Sequence, residues 1–138
     1  MKFTKLFFAF LLGLAALSPA RAQGFRVYPG AQRDDQASKA ASHAGTSCEV
    51  YTTGDSVEKV SAYYRSVYKE FAWPVKPPKL PSGREIQWAY FILDGSRDLS
   101  HSKLWLKVQR PYIYTVSEDT GDFKDIREIT VIQLIRKN

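Results

Sequence analysis

Few residues in this 138-residue sequence have the chemical types that perform reactions, and their spacing limits each of them. His43 and His101 are the only histidines, and Cys48 is the only cysteine. A Cys–His nucleophile pair needs thiol and imidazole held within hydrogen-bond reach. His43 and Cys48 are separated by Gly45 at the entrance to a β-rich run, so sequence sets no such geometry. His101 sits in the stretch DGSRDLSHS with Asp94, Asp98, Ser100 and Ser102. A Ser–His–Asp device draws its groups from separate rigid elements, whereas these share one polar loop.

Carboxylates offer little more. Glu118, Asp119, Asp122 and Asp125 miss the D-x-[DN]-x-[DN]-G spacing of a calcium loop and read as hairpin-turn residues. Glu49 and Glu85 would serve glycoside chemistry only if folding joined them, and nothing in the sequence does so. No phosphate loop, dinucleotide fingerprint, CxxC or HExxH occurs. The sequence therefore nominates no catalytic residue, no metal site and no cofactor.

Recognition chemistry is better represented. Lys103, Trp105 and Lys107 alternate outward along a strand pattern, with Arg110 just beyond. An indole between ammonium groups can stack on a ring while the cations hold anions. Tyr64 and Tyr68 share a helical stripe, and their hydroxyls need partners if buried, so they could edge a groove between helix and sheet. Pro74, Pro77, Pro78 and Pro81 make a stiff connector at PxxP spacing.

These candidates hang on a short chain with an export-like start. Lys2 and Lys5 precede the apolar run Leu6–Leu17, Pro19 follows, and Ala20-Arg21-Ala22 supplies small residues at a cleavage point before Gln23. That is the layout of a cleavable signal peptide over residues 1–22, with an apolar run too short to span a bilayer. Its removal would take away Lys2, Lys5 and Arg21 and no acid. Basic residues fall from 20 to 17 against 14 acids, and the net charge from +6 to +3. Such a charge is ordinary for a small domain. With export, it disfavours nucleic acid as a partner. Residues 23–138 then read as a single domain without a further membrane-length apolar run.

Elements follow from periodicity. Phe25–Tyr28 reads as a short strand closed by the turn pair Pro29-Gly30, and residues 31–45 as a mobile loop or frayed helix. Thr46–Thr53 is a strand with Cys48, Val50 and Thr52 opposite Glu49, Tyr51 and Thr53. Asp55 as N-cap with Glu58, then Val57, Val60, Tyr64, Val67, Tyr68 and Phe71, predict an amphipathic helix over 56–72. Three further strands are expected: 86–93, 103–109 continuing through 112–117, and 126–136. The expected fold class is α+β. It has an antiparallel sheet of about four to five strands with one main helix packed across it, in the order (β)-β-α-β-β-β.

Tyr28-Pro-Gly-Ala31, followed by Tyr51-Thr-Thr-Gly-Asp-Ser-Val-Glu-Lys-Val60 and Tyr63-Tyr-Arg65, resembles a recurrent pattern in exported bacterial α+β domains of uncharacterised function. The resemblance spans about residues 25–72 and implies an exported α+β domain with no catalytic residue. The element order is also similar to cystatin-like folds, but the chain lacks their Q-x-V-x-G loop. The expectation is a non-enzymatic periplasmic or secreted binding module for a protein or cell-envelope component. Binding would use the face around Trp105 or the groove near Tyr64 and Tyr68. The alternatives are an inhibitor or immunity-type protein acting through 74–81 or 94–102, and a small-ligand carrier using the helix–sheet groove.

Overall fold

The computed structural model describes residues 24–138, so the expected export signal and its cleavage point lie outside the described residues. Ten elements follow in order: β1 (Gln32–Arg33), α1 (Asp35–Ala41), β2 (Thr46–Thr53), α2 (Val57–Arg65), β3 (Lys69–Phe71), β4 (Gln87–Ile92), β5 (Leu104–Arg110), β6 (Tyr112–Val116), β7 (Phe123–Arg127) and β8 (Thr130–Lys137). Six strands form one sheet in the order β1-β2-β8-β5-β4-β3, every neighbouring pair antiparallel. β6 and β7 form a separate antiparallel hairpin.

The α+β class and the antiparallel sheet agree with the sequence reading, but the strand number and order do not. The sequence suggests four to five strands and one main helix; the described residues form a six-stranded sheet, an extra two-stranded sheet and two helices. The expected strand 126–136 is interrupted at residues 128–129, giving β7 and β8 to different sheets. Phe25–Tyr28 pairs with no strand, while Ala31 N–H donates to Tyr28 C=O across the Pro29-Gly30 turn. Gly30 takes φ +80° there, a conformation a side chain resists.

Residues 31–45 hold a capped helix. The Asp34 carboxylate accepts from Ala37 N–H. Ser38 Oγ donates to Asp34 C=O at 2.6 Å and accepts from Val50 N–H at 2.8 Å, which fastens α1 to β2.

The expected helix 56–72 ends early. Its N-cap is Ser56, whose hydroxyl accepts from Lys59 N–H, while the Asp55 carboxylate is taken by the Tyr28 phenol. Beyond Arg65 the chain turns, and Lys69–Phe71 exchange helical hydrogen bonds for a ladder with β4.

α2 lays Val57, Val60 and Tyr64 on one sheet face, against Ala89, Phe91, Leu106, Val108, Ile132 and Leu134. Full burial of each large side chain there stabilises by about 1.5–3 kcal/mol. α1 and the β6–β7 hairpin cover part of the opposite face, packing Ala37 and Tyr112 with Cys48, Val50 and Val131. That opposite face is only half covered. Among the described residues no helix is long and apolar enough to cross a membrane.

Candidate functional site

Strand pairing arranges the half-covered face in rows. Ile92, Trp105, Ile135 and Cys48 lie side by side across β4, β5, β8 and β2. The next row is Phe71, Tyr90, Lys107, Gln133 and Val50. The third is Trp88, Gln109, Val131 and Thr52. Rows stand roughly 6.6–6.8 Å apart along the strands. Alternation sends Leu106 and Val108 to the α2 side, where both are fully buried, and turns Trp105 and Lys107 the other way.

Two hollows open on this face. The first, about 420 Å3, lies between β3 and the loop 93–103, with Trp105, Tyr90, Phe71 and Leu99 in its walls. Trp73 closes it from the connector, 42% exposed, with its ring 5.5 Å from Tyr90 and 6.1 Å from Phe71. Lys137 Nζ stands 4.9 Å from the Trp105 ring centre. The second hollow, about 250 Å3, lies beneath the β6–β7 hairpin, with Trp88, Lys107, Gln133, Tyr112 and Phe123 in its walls. Lys107 Nζ is 5.4 Å from the Trp88 ring centre and 5.9 Å from that of Tyr90. All three tryptophans of the chain therefore face the same side of one sheet.

Burial lowers the Lys107 pKa, and no neighbouring carboxylate offsets that effect. Among the described residues no carboxylate lines the hollow that holds Lys107. Asp98 accepts from Ser100 Oγ at 2.6 Å and lies 2.7 Å from His101 Nδ1. Its pKa falls well below the ordinary carboxylate range through the hydrogen bonds from Ser100 and His101. Ser100 and Asp98 both face the same imidazole nitrogen, Nδ1. A triad relay needs them on opposite ring nitrogens.

The other sequence candidates separate. Arg110 falls on the opposite parity from Trp105. Its guanidinium donates to the carbonyls of Gly54 and Glu128, tying β5 to the turn before α2. Lys103 precedes β5 and keeps an exposed side chain that lines neither hollow. Tyr64 and Tyr68 edge no open groove. Both are buried beneath residues 24–28, where Tyr64 OH donates to Arg26 C=O and Tyr68 OH accepts from Arg26 N–H. Cys48 is a buried free thiol whose pKa is pushed up to about 11 by desolvation and by Glu49. His43 is exposed, with Nδ1 beside Ala41 C=O. Glu49 and Glu85 line different hollows, the first beside Cys48 and the second beside α2. Among the described residues no three His, Cys, Asp or Glu side chains gather as metal ligands.

Sequence reasoning missed Trp73, Trp88, Tyr90 and Lys137 as companions of Trp105. For Trp88 and Tyr90 the signal was present, since both alternate on a strand whose two faces are largely apolar.

No protein family, curated protein or solved structure matches the chain. The functional reading rests on the geometry of this face.

Proposed function

We propose that the chain is a non-enzymatic binding module of the periplasm or extracellular space, holding a protein or cell-envelope component on the face around Trp105. One observation carries the reading: three tryptophans share that face, two of them around a 420 Å3 hollow walled mainly by apolar groups. Ligand sites of this size are typically apolar clefts with a few polar groups that fix orientation. Here Lys137, Ser100 and Asp98 fill that role.

The loops considered for an inhibitor, 74–81 and 94–102, contribute Pro74 and Leu99 to this same hollow, so a partner seated there touches face and loops together. The groove expected near Tyr64 has no support, because Tyr64, Phe91 and Leu106 fill the interface there, and the hollow beside α2 lies at its edge with Glu58, Arg65 and Glu70 in its walls. The export-like segment at residues 1–22 supports the location.

The test uses Trp73→Ala and Trp105→Ala in binding to fractionated envelope extract, with circular dichroism monitoring the fold. Trp73 is the cleaner probe because much of its ring is already exposed. Loss of binding by folded variants of both supports the reading. Undiminished binding by both overturns it.

A further inference from the structure

The second hollow carries a more specific statement, which rests on the reading of this face as a binding surface. We infer that the hollow beneath the β6–β7 hairpin takes a small amphipathic carboxylate, an aromatic or short acyl body with one negative charge, and that Lys107 is its charge partner.

The walls set the body of the ligand. Trp88, Ile86, Tyr112, Val116 and Phe123 present apolar surface from the sheet, the connector and the hairpin. An apolar cavity of about 150 Å3 accommodates one benzene ring. The 250 Å3 here leaves room for a ring or short chain together with a carboxylate.

Lys107 sets the charge. Its stem crosses the sheet face beside Trp88 and Tyr90, and its ammonium faces their rings and no carboxylate. A cation removed from bulk water is costly unless paired. The aromatic faces supply part of the compensation. An incoming anion would supply the rest. Gln109 is less available as a polar partner, because its side-chain N–H already donates to Pro111 C=O. Gln133 adjoins Lys107 in the sheet and lines the same hollow, placing an amide beside the ammonium. A point charge set in apolar walls favours a monoanion over a neutral or cationic ligand with the same body.

Three probes with one body test this: 3-phenylpropanoate, 3-phenylpropan-1-ol and 3-phenylpropylamine. Each is titrated against the folded protein by tryptophan fluorescence and by amide chemical shifts around Trp88 and Lys107. The carboxylate should bind at least about tenfold more tightly than the alcohol, a difference of about 1.4 kcal/mol, and the amine most weakly. Lys107→Met keeps an apolar stem and removes the charge. It should erase the carboxylate's advantage while leaving alcohol binding within about twofold. Equal affinity of carboxylate and alcohol for the wild type overturns the inference without need of any variant. So does binding of none of the three at millimolar concentration, or a carboxylate preference that survives in a folded Lys107→Met protein. Each of these leaves the Trp105 face to be judged by the separate Trp73 and Trp105 experiment.

Discussion

The phenol of Tyr28 donates a 2.7 Å hydrogen bond to Oδ2 of Asp55, joining the N-terminal turn to the residue before the N-cap of α2. The same carboxylate pairs with Lys59 at 3.4 Å. The Tyr28 bond holds the Asp55 carboxyl below its ordinary pKa, while burial and Asp55 push the Tyr28 phenol up to about 12. The two groups therefore act in different pH windows. The contribution of Asp55 is present above its unfolded pKa of 3.8 and is lost as pH falls through the depressed value. That of Tyr28 is present below pH 10 and is lost as pH rises through 10 to about 12. Tyr28→Phe should lower the melting temperature by several degrees at pH 7. The difference from wild type should shrink at both extremes. A pH-independent difference would show that the loss does not come through the bond to the ionised Asp55 carboxylate.

Residues 24–28 are held to α2 and to the turn after it by side-chain hydroxyls in place of a strand ladder. Arg26 N–H donates to Tyr68 OH at 2.9 Å, and Arg26 C=O accepts from Tyr64 OH at 3.0 Å. Tyr68→Phe keeps the ring and removes the acceptor that the described residues offer that N–H. Exchange of the Arg26 amide should then accelerate by about tenfold, while amides in β5 and β8 stay protected. Uniform acceleration across the sheet would mean that the segment is part of the global folding unit.

Ser38 is almost fully buried and serves both sides of one junction, donating to Asp34 C=O and accepting from Val50 N–H. Ser38→Ala leaves the Val50 N–H without its partner on the face covered by α1. The cost of such a buried orphan is about 1–3 kcal/mol, readable as a lower urea midpoint at unchanged slope. Ser38→Thr, which keeps the hydroxyl, should recover part of it. If Ser38→Ala is neutral, α1 is not anchored through this side chain.

The sequence makes some of this readable and hides the rest for identifiable reasons. β2 and β5 are legible because alternation puts their large apolar groups in buried positions: Val50 and Tyr51 on opposite faces of β2, Leu106 and Val108 on one face of β5. α1 is obscure because its buried face is Ala37 and Ser38, which carry almost no hydrophobic signal. The periodicity of α2 runs on through Val67, Tyr68 and Phe71, since Val67 and Tyr68 stay packed on the same core. Pattern alone cannot show that Lys69–Phe71 has changed from helix to strand. At the candidate site, the outward turn of Trp105 is local information. Its neighbours Trp73 and Lys137 arrive through pairing with distant segments, which no spacing rule reveals. Arg110 shows the converse error: it is close to Trp105 in sequence, and strand parity sends it to the other side of the sheet.

Cys48 tests the burial of the α1 face directly. Its thiol lies beside Ala37 and Val50, and desolvation raises its pKa to about 11. The thiolate is the reactive form, so little of it exists at neutral pH. A disulfide reagent should label the native protein slowly at pH 8 and rapidly in denaturant. Fast labelling of the native state would show that α1 lifts away from β2.

Asp94 links acidity to the shape of the Trp105 hollow. Against some desolvation, its carboxylate accepts from Lys103 N–H at 2.7 Å, Ser96 N–H at 3.1 Å and Ser102 Oγ at 3.0 Å. These bonds close the loop that carries Leu99 into the hollow. They hold the carboxyl well below the ordinary range of 3.8. A depressed acid adds stability above its unfolded pKa and loses it as pH falls through the folded one. The loop should therefore stay closed to well below pH 4 and open only in strong acid. Asp94→Asn removes the charge at every pH and turns one acceptor oxygen into a donor. It should loosen Leu99 and weaken whatever binds around Trp105 at pH 7, with Leu99 methyl shifts reporting the change. Binding and methyl shifts unaffected by Asp94→Asn would detach this loop from the site and leave the hollow to the sheet and Trp73.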